Sequence, residues 1–174
     1  MRKTHALAAL LFASAAAPAR AGYDKTEWGM TVAQVQQLYP GGVAIRQADG
    51  RTDYRVVRSV AGLSTALVSF DIGAPPEGLR RVSIIFPEQG TEVDLRQALF
   101  EPPSPSQVEA IRQTLRAALT SKYGAPSSSH EKDDTWLTAA GDAIYLGVAT
   151  AGAGLSPVIV YSPPKTRAKD TSGL

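Results

Sequence analysis

A histidine with three neighbouring carboxylates is the densest group of reactive side chains in this sequence. His130 is followed by Glu131, Asp133 and Asp134, and an imidazole with carboxylates can hold a metal ion or serve a hydrolase as acid and base. Lys132 interrupts the group and serines precede it, which is typical of a solvated loop. A Ser-His-Asp triad would need the same histidine, and the chain contains no Gly-x-Ser-x-Gly motif.

A second group of acids is Glu88, Glu92, Asp94 and Glu101. Two carboxylates held across a cleft can hydrolyse a glycoside. Residues 91–103 match neither the helical nor the strand period, so the sequence assigns these acids no fixed geometry. The chain has no cysteine, which excludes disulfides, thiolate zinc sites and cysteine nucleophiles. We therefore predict no catalytic residue, no metal ligand and no cofactor.

Arginines are frequent beside the first group of predicted strands: Arg46, Arg51, Arg55, Arg58, Arg80 and Arg81. If their polar faces coincide, Arg51, Arg55 and Arg58 form a contact surface for an anionic ligand or an envelope protein. In the alternative interpretation, the same strands present a solvated face on which aspartates at 49, 53 and 71 pair with the arginines across the strands.

The first 21 residues have the zones of a secretory signal peptide. Arg2 and Lys3 form the basic end, and an apolar run extends from Ala6 to Ala17. Small residues at 19 and 21 place the predicted cut between Ala21 and Gly22; a cut after residue 19 is the alternative. The apolar run is shorter than the roughly 20 residues that cross a bilayer. We predict a periplasmic or secreted bacterial protein.

Removing this leader changes the charge of the protein. The leader carries three of the 18 basic residues and none of the 16 acids, so the remaining chain has 15 basic groups and a formal charge of −1 instead of +2. The basic character therefore does not indicate a nucleic-acid partner. Without a cysteine near the cut, or a long apolar run after it, we predict neither a lipid anchor nor a transmembrane segment.

Capping signals define two helices. Thr31 and Gln34 form a capping box, and Pro40 with two glycines ends the first helix. Ser104 precedes Pro105 at the start of the second helix, and Gly124 ends it. The apolar stripes that these helices would bury are Val32, Val35, Leu38 and Tyr39 in the first, and Val108, Ile111, Leu115, Leu119 and Tyr123 in the second.

Alternating apolar residues predict strands between the helices and after the second one. The segments are 43–47, 52–56, 68–72 and 82–86, then 136–137, 143–149 and 158–161, with a bulge or a register change at 57–58. Residues 127–134 and 151–155 are predicted as a polar loop and a turn. This order predicts one α+β domain over 22–162, with about six or seven short antiparallel strands and two helices on one face, in the order α-β(3–4)-α-β(3). Residues 163–174 are predicted to be a disordered tail.

Four short motifs resemble those of a loose set of small, mostly uncharacterised exported bacterial α+β proteins. They are Trp28-Gly29-Met30, Lys122-Tyr123-Gly124-Ala125-Pro126, Trp136, and Ile144-Tyr145-Leu146. The element order is more distantly similar to that of β-lactamase-inhibitor proteins and of a small outer-membrane assembly lipoprotein. The resemblance implies a fold and no catalytic residue.

The sequence specifies a packed core clearly, but it specifies no group of residues for acid-base catalysis. We therefore predict a non-catalytic periplasmic interaction or ligand-binding domain. One alternative is a small hydrolase or metal-dependent enzyme that uses His130 and the nearby carboxylates, or the acids at 88–101. Another alternative is an inhibitor of a periplasmic enzyme that inserts the Pro-rich loops 73–78 or 101–105.

Overall fold

Helices and strands follow one another in two similar halves. The computed structural model describes residues 22–151 and 154–164. The predicted leader, two residues of the predicted turn 151–155 and residues 165–174 of the predicted tail lie outside this part. The first half contains α1 (Val32–Leu38), β1 (Val43–Arg46), β2 (Thr52–Val60), β3 (Leu63–Gly73) and β4 (Gly78–Ile85). The second contains α2 (Pro105–Tyr123), β5 (Ser128–Ser129), β6 (Asp134–Leu137), β7 (Ala143–Ala151) and β8 (Gly154–Ser162).

All the strands of this part join one antiparallel sheet in the order β1-β2-β3-β4-β8-β7-β6-β5. The prediction of an α+β protein with an antiparallel sheet is confirmed, but the prediction of six or seven strands is wrong, because the sheet has eight. The order is accordingly one helix and four strands, twice. The additional strand, β5, lies in the predicted polar loop 127–134, where two serines pair with Asp134 and Thr135. Two exposed serines carry no hydrophobic period, so the sequence pattern does not reveal this strand.

Both helices begin and end at the predicted signals. Thr31 and Gln34 form the capping box of α1, and Ser104 and Gln107 form that of α2. Gly124 ends α2 with a φ of 84°, a conformation that favours glycine. No helix of residues 22–151 and 154–164 is long and apolar enough to span a membrane.

Two cross-strand rows define the faces of the sheet. The helix face carries Tyr54, Phe70, Val82, Tyr161, Ile144 and Trp136, each opposite the next. These residues belong to one buried cluster with Val35 of α1 and with Ile111, Leu115 and Leu119 of α2, so both helices cover this face. The outer face carries Val43, Arg55, Ser69, Ser83, Val160, Tyr145, Thr135 and Ser128.

Segment 91–103, which fits neither period in the sequence, contacts the outer face. The Nη1 atom of Arg55 donates to the carbonyl oxygens of Leu95 and Arg96, at 3.2 and 3.1 Å. Within the segment, Asp94 and Leu99 form an isolated antiparallel bridge. Tertiary hydrogen bonds rather than a local period therefore hold this segment.

The register of the first sheet half shifts at two places. One shift lies between Arg58 and Val60 of β2, beside the predicted bulge at 57–58. The other lies in the β3–β4 pair, between Asp71 and Ile72. As a result both Arg80 and Arg81 lie opposite the stretch that contains Asp71 and Ile72.

Buried tyrosines make the fold sensitive to alkali. Burial raises the pKa of Tyr23 to about 12 and also raises the pKa values of Tyr39 and Tyr161. Because these pKa values lie above the unfolded value of about 10, their stabilising contribution is complete below about pH 10 and is lost as pH rises towards 12. We expect the pH midpoint of alkaline unfolding to lie in that range, and tyrosinate absorbance to rise together with the unfolding.

A matched pair of variants tests the assignment. Tyr23→Phe removes a partly buried phenol group whose pKa is raised, so the alkaline transition should move to higher pH. Tyr145→Phe, at a position that is 37% exposed, should leave it unchanged. Titration of all tyrosines near pH 10 without loss of structure would contradict this prediction.

Candidate functional site

A concave pocket of about 240 Å³ lies on the helix-face side of the sheet, at the end where α1 begins. The β1–β2 turn, the ends of β2 and β3, and the β3–β4 turn form the remaining walls. Its lining residues are Gly29, Thr31, Val32, Arg46, Gly50, Thr52, Ile72, Gly73, Pro75, Pro76 and Gly78. We call this the Arg46 pocket. Its mostly apolar wall with few polar groups is the usual character of a small-molecule site.

Glycines allow the walls of the Arg46 pocket to approach closely. The backbone N–H of Gly29 donates to the carbonyl of Leu79, and the N–H of Leu79 donates to the carbonyl of Met30, both at 2.8 Å. A Cβ atom on Gly78 would lie 2.1 Å from the carbonyl oxygen of Gly29, and the φ of Gly78 is +66°. A larger residue at 78 would therefore force the wall apart.

The sheet register places one guanidinium at this pocket. Arg46 pairs with Thr52, and Thr52 pairs with the buried Ile72, so the three residues lie side by side on the helix face. Arg46 is exposed and lines the pocket. No hydrogen bond or ion pair joins its side chain to another residue of the described part. An arginine with its donors free beside an apolar wall can bind a carboxylate or another oxyanion.

Arg51 and Arg55 lie on the opposite side of the sheet, as their sequence alternation predicts. There Arg51 borders a polar depression of about 250 Å³ with Asp53, Ser69, Asp71, Arg81 and Ser83 among its lining residues, and Arg55 donates to the Asp53 of that lining. Arg51 pairs with Asp49, and Arg55 pairs with Asp53 at 2.6 Å. The backbone N–H of Arg51 donates to Asp49 and lowers the pKa of that carboxyl. These two arginines are thus neutralised by acids two residues away in the same segment, whereas the solvated-face interpretation predicts partners across the strands.

Arg58 does not join Arg51 and Arg55. Its guanidinium carbon lies 5.0 Å from the ring centroid of Tyr39, a residue of the helix-face core. A cation over an aromatic ring is attracted by the ring quadrupole. The structure therefore separates the three arginines that the sequence grouped as one contact surface.

Asp71 forms an ion pair with Arg80 on the outer face. The Nε atom of Arg80 donates to Asp71 at 3.1 Å, and its Nη1 donates to Glu77 at 3.4 Å. The bond to Asp71 raises the pKa of Arg80. Arg81 lines the polar depression, and its side chain has no ion pair or hydrogen bond within the described residues. Arg46 and Arg81 are consequently unpaired cations on opposite faces.

His130 and its neighbouring carboxylates do not converge. The Nε2 atom of His130 lies 3.3 Å from the hydroxyl of Ser128, and both residues are exposed. Asp134 is buried and accepts from Arg116 at 3.1 Å and from Arg112 at 3.5 Å. Across residues 22–151 and 154–164, no three histidine, cysteine or acidic side chains are grouped so that they could hold a metal ion.

Two of the acids at 88–101, Glu88 and Asp94, have hydrogen-bond partners. The carboxylate of Glu88 accepts from Gln107 at 3.1 Å, and that of Asp94 accepts from the backbone N–H groups of Arg96 and Gln97. Glu92, Asp94 and Glu101 border a broad groove of about 720 Å³ next to Val43. These contacts fix the loop and bring no catalytic partner to the acids.

The two Pro-rich loops differ in exposure. Residues 74–77 are exposed and follow β3, with a cis bond between Pro75 and Pro76. In the 101–105 loop, Pro103 is buried and Pro102 contacts Gly154. Of these two loops, the 73–78 loop contributes directly to the Arg46 pocket.

Comparison of the chain with protein-family models, with curated proteins and with solved structures finds no match. A functional proposal therefore depends on the geometry of the side chains described above.

Sequence patterns did not indicate the Arg46 pocket. Arg46 was one of six neighbouring arginines, and its lack of an acidic partner depends on the tertiary fold. A signal was nevertheless present. Gly73 and Gly78 flank the Pro75-Pro76 turn, and Gly29 precedes the first helix, which are positions where backbone can approach backbone.

Proposed function

We propose that this protein is a non-catalytic ligand-binding domain of the bacterial envelope, and that the Arg46 pocket binds a small organic anion. The observation that carries the proposal is the unpaired guanidinium of Arg46 beside a concave, mostly apolar wall. Its carboxylate or other oxyanion would contact Arg46, and its apolar part would contact Val32, Ile72 and the prolines. The leader predicted at residues 1–21 supports a location outside the cytoplasm.

The size of the pocket limits the ligand. A volume of about 240 Å³ is below the roughly 300–1,000 Å³ of pockets for drug-sized molecules. A single ring or a short chain with one anionic group therefore fits the description better than a nucleotide, a peptide or an intact lipid. Two lining residues carry hydroxyl groups, and because that of Thr31 already bonds Gln34 in the capping box, Thr52 is the one that can orient such a ligand.

Benzoate and its neutral isostere benzamide test the charge requirement. We expect the purified protein to bind benzoate more tightly than benzamide, as measured by calorimetry and by amide chemical shifts around the pocket. Arg46→Gln should weaken benzoate binding about tenfold to a hundredfold, because a hydrogen bond to a charged group contributes about 1.5–3 kcal/mol. Benzamide binding should change little.

Arg51→Gln with Arg55→Gln is the matched control, because both residues lie on the outer face. This double variant should bind benzoate like the wild type. If it loses binding while Arg46→Gln does not, the arginine surface predicted from sequence is the site and the Arg46 pocket is not. Equal affinity for benzoate and benzamide would also contradict the proposal.

A further inference from the structure

The carboxylate of Asp142 is buried, and no cation of the described residues pairs with it. Asp142 immediately precedes β7 and is 2% exposed. Its Oδ1 accepts the indole N–H of Trp28 at 2.8 Å, and its Oδ2 accepts the backbone N–H of Gly22 at 3.3 Å. Neither donor is charged, and no lysine or arginine of the described part forms an ion pair with it. Burying a carboxylate is costly unless a cation compensates it.

Gly22 is held at this carboxylate by the residues that follow it. The ring of Tyr23 packs 5.2 Å from that of Tyr161, between ring centroids, and also contacts Tyr39. Thr26 is fully buried and its hydroxyl donates to the carbonyl of Tyr23 at 2.7 Å. Residues 22–26 are thus held in place by the side chains of Tyr23 and Thr26.

Only glycine fits at position 22. Its φ is +136°, and a Cβ atom built there would lie 2.4 Å from the carbonyl oxygen of Thr26. Gly22 is also the residue that follows the predicted signal-peptidase cut after Ala21. The position that needs glycine and the position that cleavage would make the first residue are therefore the same.

We propose that Asp142 is the binding site for the amino terminus that leader removal creates. Signal peptidase would hydrolyse the Ala21–Gly22 peptide bond with one water molecule. Ala21 would leave with the new carboxylate, and the nitrogen of Gly22 would become an ammonium after taking up a proton. That ammonium stays at Asp142 Oδ2 and supplies the missing positive charge. Processing thereby converts a hydrogen bond from an uncharged amide into a partly buried ion pair, independently of any ligand in the Arg46 pocket.

Other charged groups face the same place. A cavity of about 420 Å³ contains Gly22 and Asp142 in its lining, together with Asp24, Lys122 and Tyr123. Asp24 adds negative potential and Lys122 positive potential, while Asp142 is the group in contact with the nitrogen of Gly22. A carboxylate at this distance raises an α-amino pKa above its ordinary value of about 7.7–8.0.

The pH dependence has a definite sign. A raised folded-state pKa gives a stabilising contribution that is complete below about pH 8 and is lost as pH rises through the folded value. A rise of about one unit in the α-amino pKa corresponds to tenfold tighter proton binding in the folded state, or about 1.36 kcal/mol.

Three forms of the chain test the proposal: one that begins at Gly22, the same form with an acetylated amino terminus, and one that begins at Arg20, the product of the alternative cut. Acetylation keeps the N–H donor and removes the charge. We expect the Gly22 form to have the highest melting temperature near neutral pH. Its α-amino pKa, measured by nitrogen NMR, should be about one unit above the ordinary value.

Asp142→Asn provides the second test. In that variant the α-amino pKa should return to the ordinary range, and the acetylated and free forms should unfold at the same temperature. The same melting temperature for the free and acetylated wild-type forms, with an ordinary α-amino pKa, would overturn the proposal. Amino-terminal sequencing of the exported protein that finds Arg20 first would also overturn it.

Discussion

Replacing Leu115 with alanine should lower the free energy of unfolding by about 3 kcal/mol, within the roughly 2–5 kcal/mol seen for such core truncations. Leu115 is completely buried in the middle of α2 and belongs to the cluster that unites both helices with the sheet. Alanine has a high helix propensity, so the helix itself is not penalised. The loss comes from the cavity left between α2 and the helix face.

The exposed Leu137 provides a chemically identical control. It lies at the end of β6 and is 59% exposed, so Leu137→Ala should change stability by no more than about 0.5 kcal/mol. Urea denaturation of the two variants measures the difference. If both variants lose the same free energy, α2 does not pack on the helix face as described.

Asp134→Ala should be the next most destabilising change, with a loss of about 2–4 kcal/mol. Asp134 is 1% exposed and holds two arginines of α2 against β6. Stranding a buried cation costs about 3–5 kcal/mol. The expected loss is smaller here, because Arg112 also contacts Glu109 at 3.2 Å and the side chain of Arg116 is 48% exposed.

Asp133→Ala is the control for that substitution. Asp133 is only half-buried, and its side chain has no ion pair within the described residues, so its loss should be below about 0.5 kcal/mol. A double-mutant cycle with Arg112→Ala should give a coupling of about 1–3 kcal/mol for the pair. A coupling near zero would show that Asp134 does not depend on Arg112.

Much of the fold could be predicted because local chemistry determines it. Thr31 and Ser104 can cap helices by themselves, and the alternation of Val68, Phe70 and Ile72 identifies a buried face without reference to any other segment. The same reasoning placed Arg51 and Arg55 on the face opposite Tyr54. The grouping of Arg58 with them was wrong, because positions 54, 56 and 58 share one face of β2 up to the register shift between Arg58 and Val60.

The candidate site could not be predicted in the same way, because it depends on contacts between distant segments. Gly29 and Gly78 meet across 49 positions of the sequence, and the Arg46 pocket exists only when they do. Asp134 likewise belonged to an exposed acidic group in sequence, whereas its buried pairing with Arg112 depends on where α2 docks. Neither relationship produces a local period.

The order of strands has a consequence for how the chain reaches its native state. Six of the seven strand pairings in the described part join neighbours along the chain, and the β4–β8 pairing is the exception. In that pairing Ile84 lies opposite Ile159. Forming it therefore closes the chain between these two residues into one long loop. Because loop-closure entropy grows slowly with length, this step costs little more than a shorter closure. Strands β1–β4 and strands β5–β8 can each form from local hairpins. The β4–β8 pairing is the step that joins these two sets of strands into a single cooperative unit.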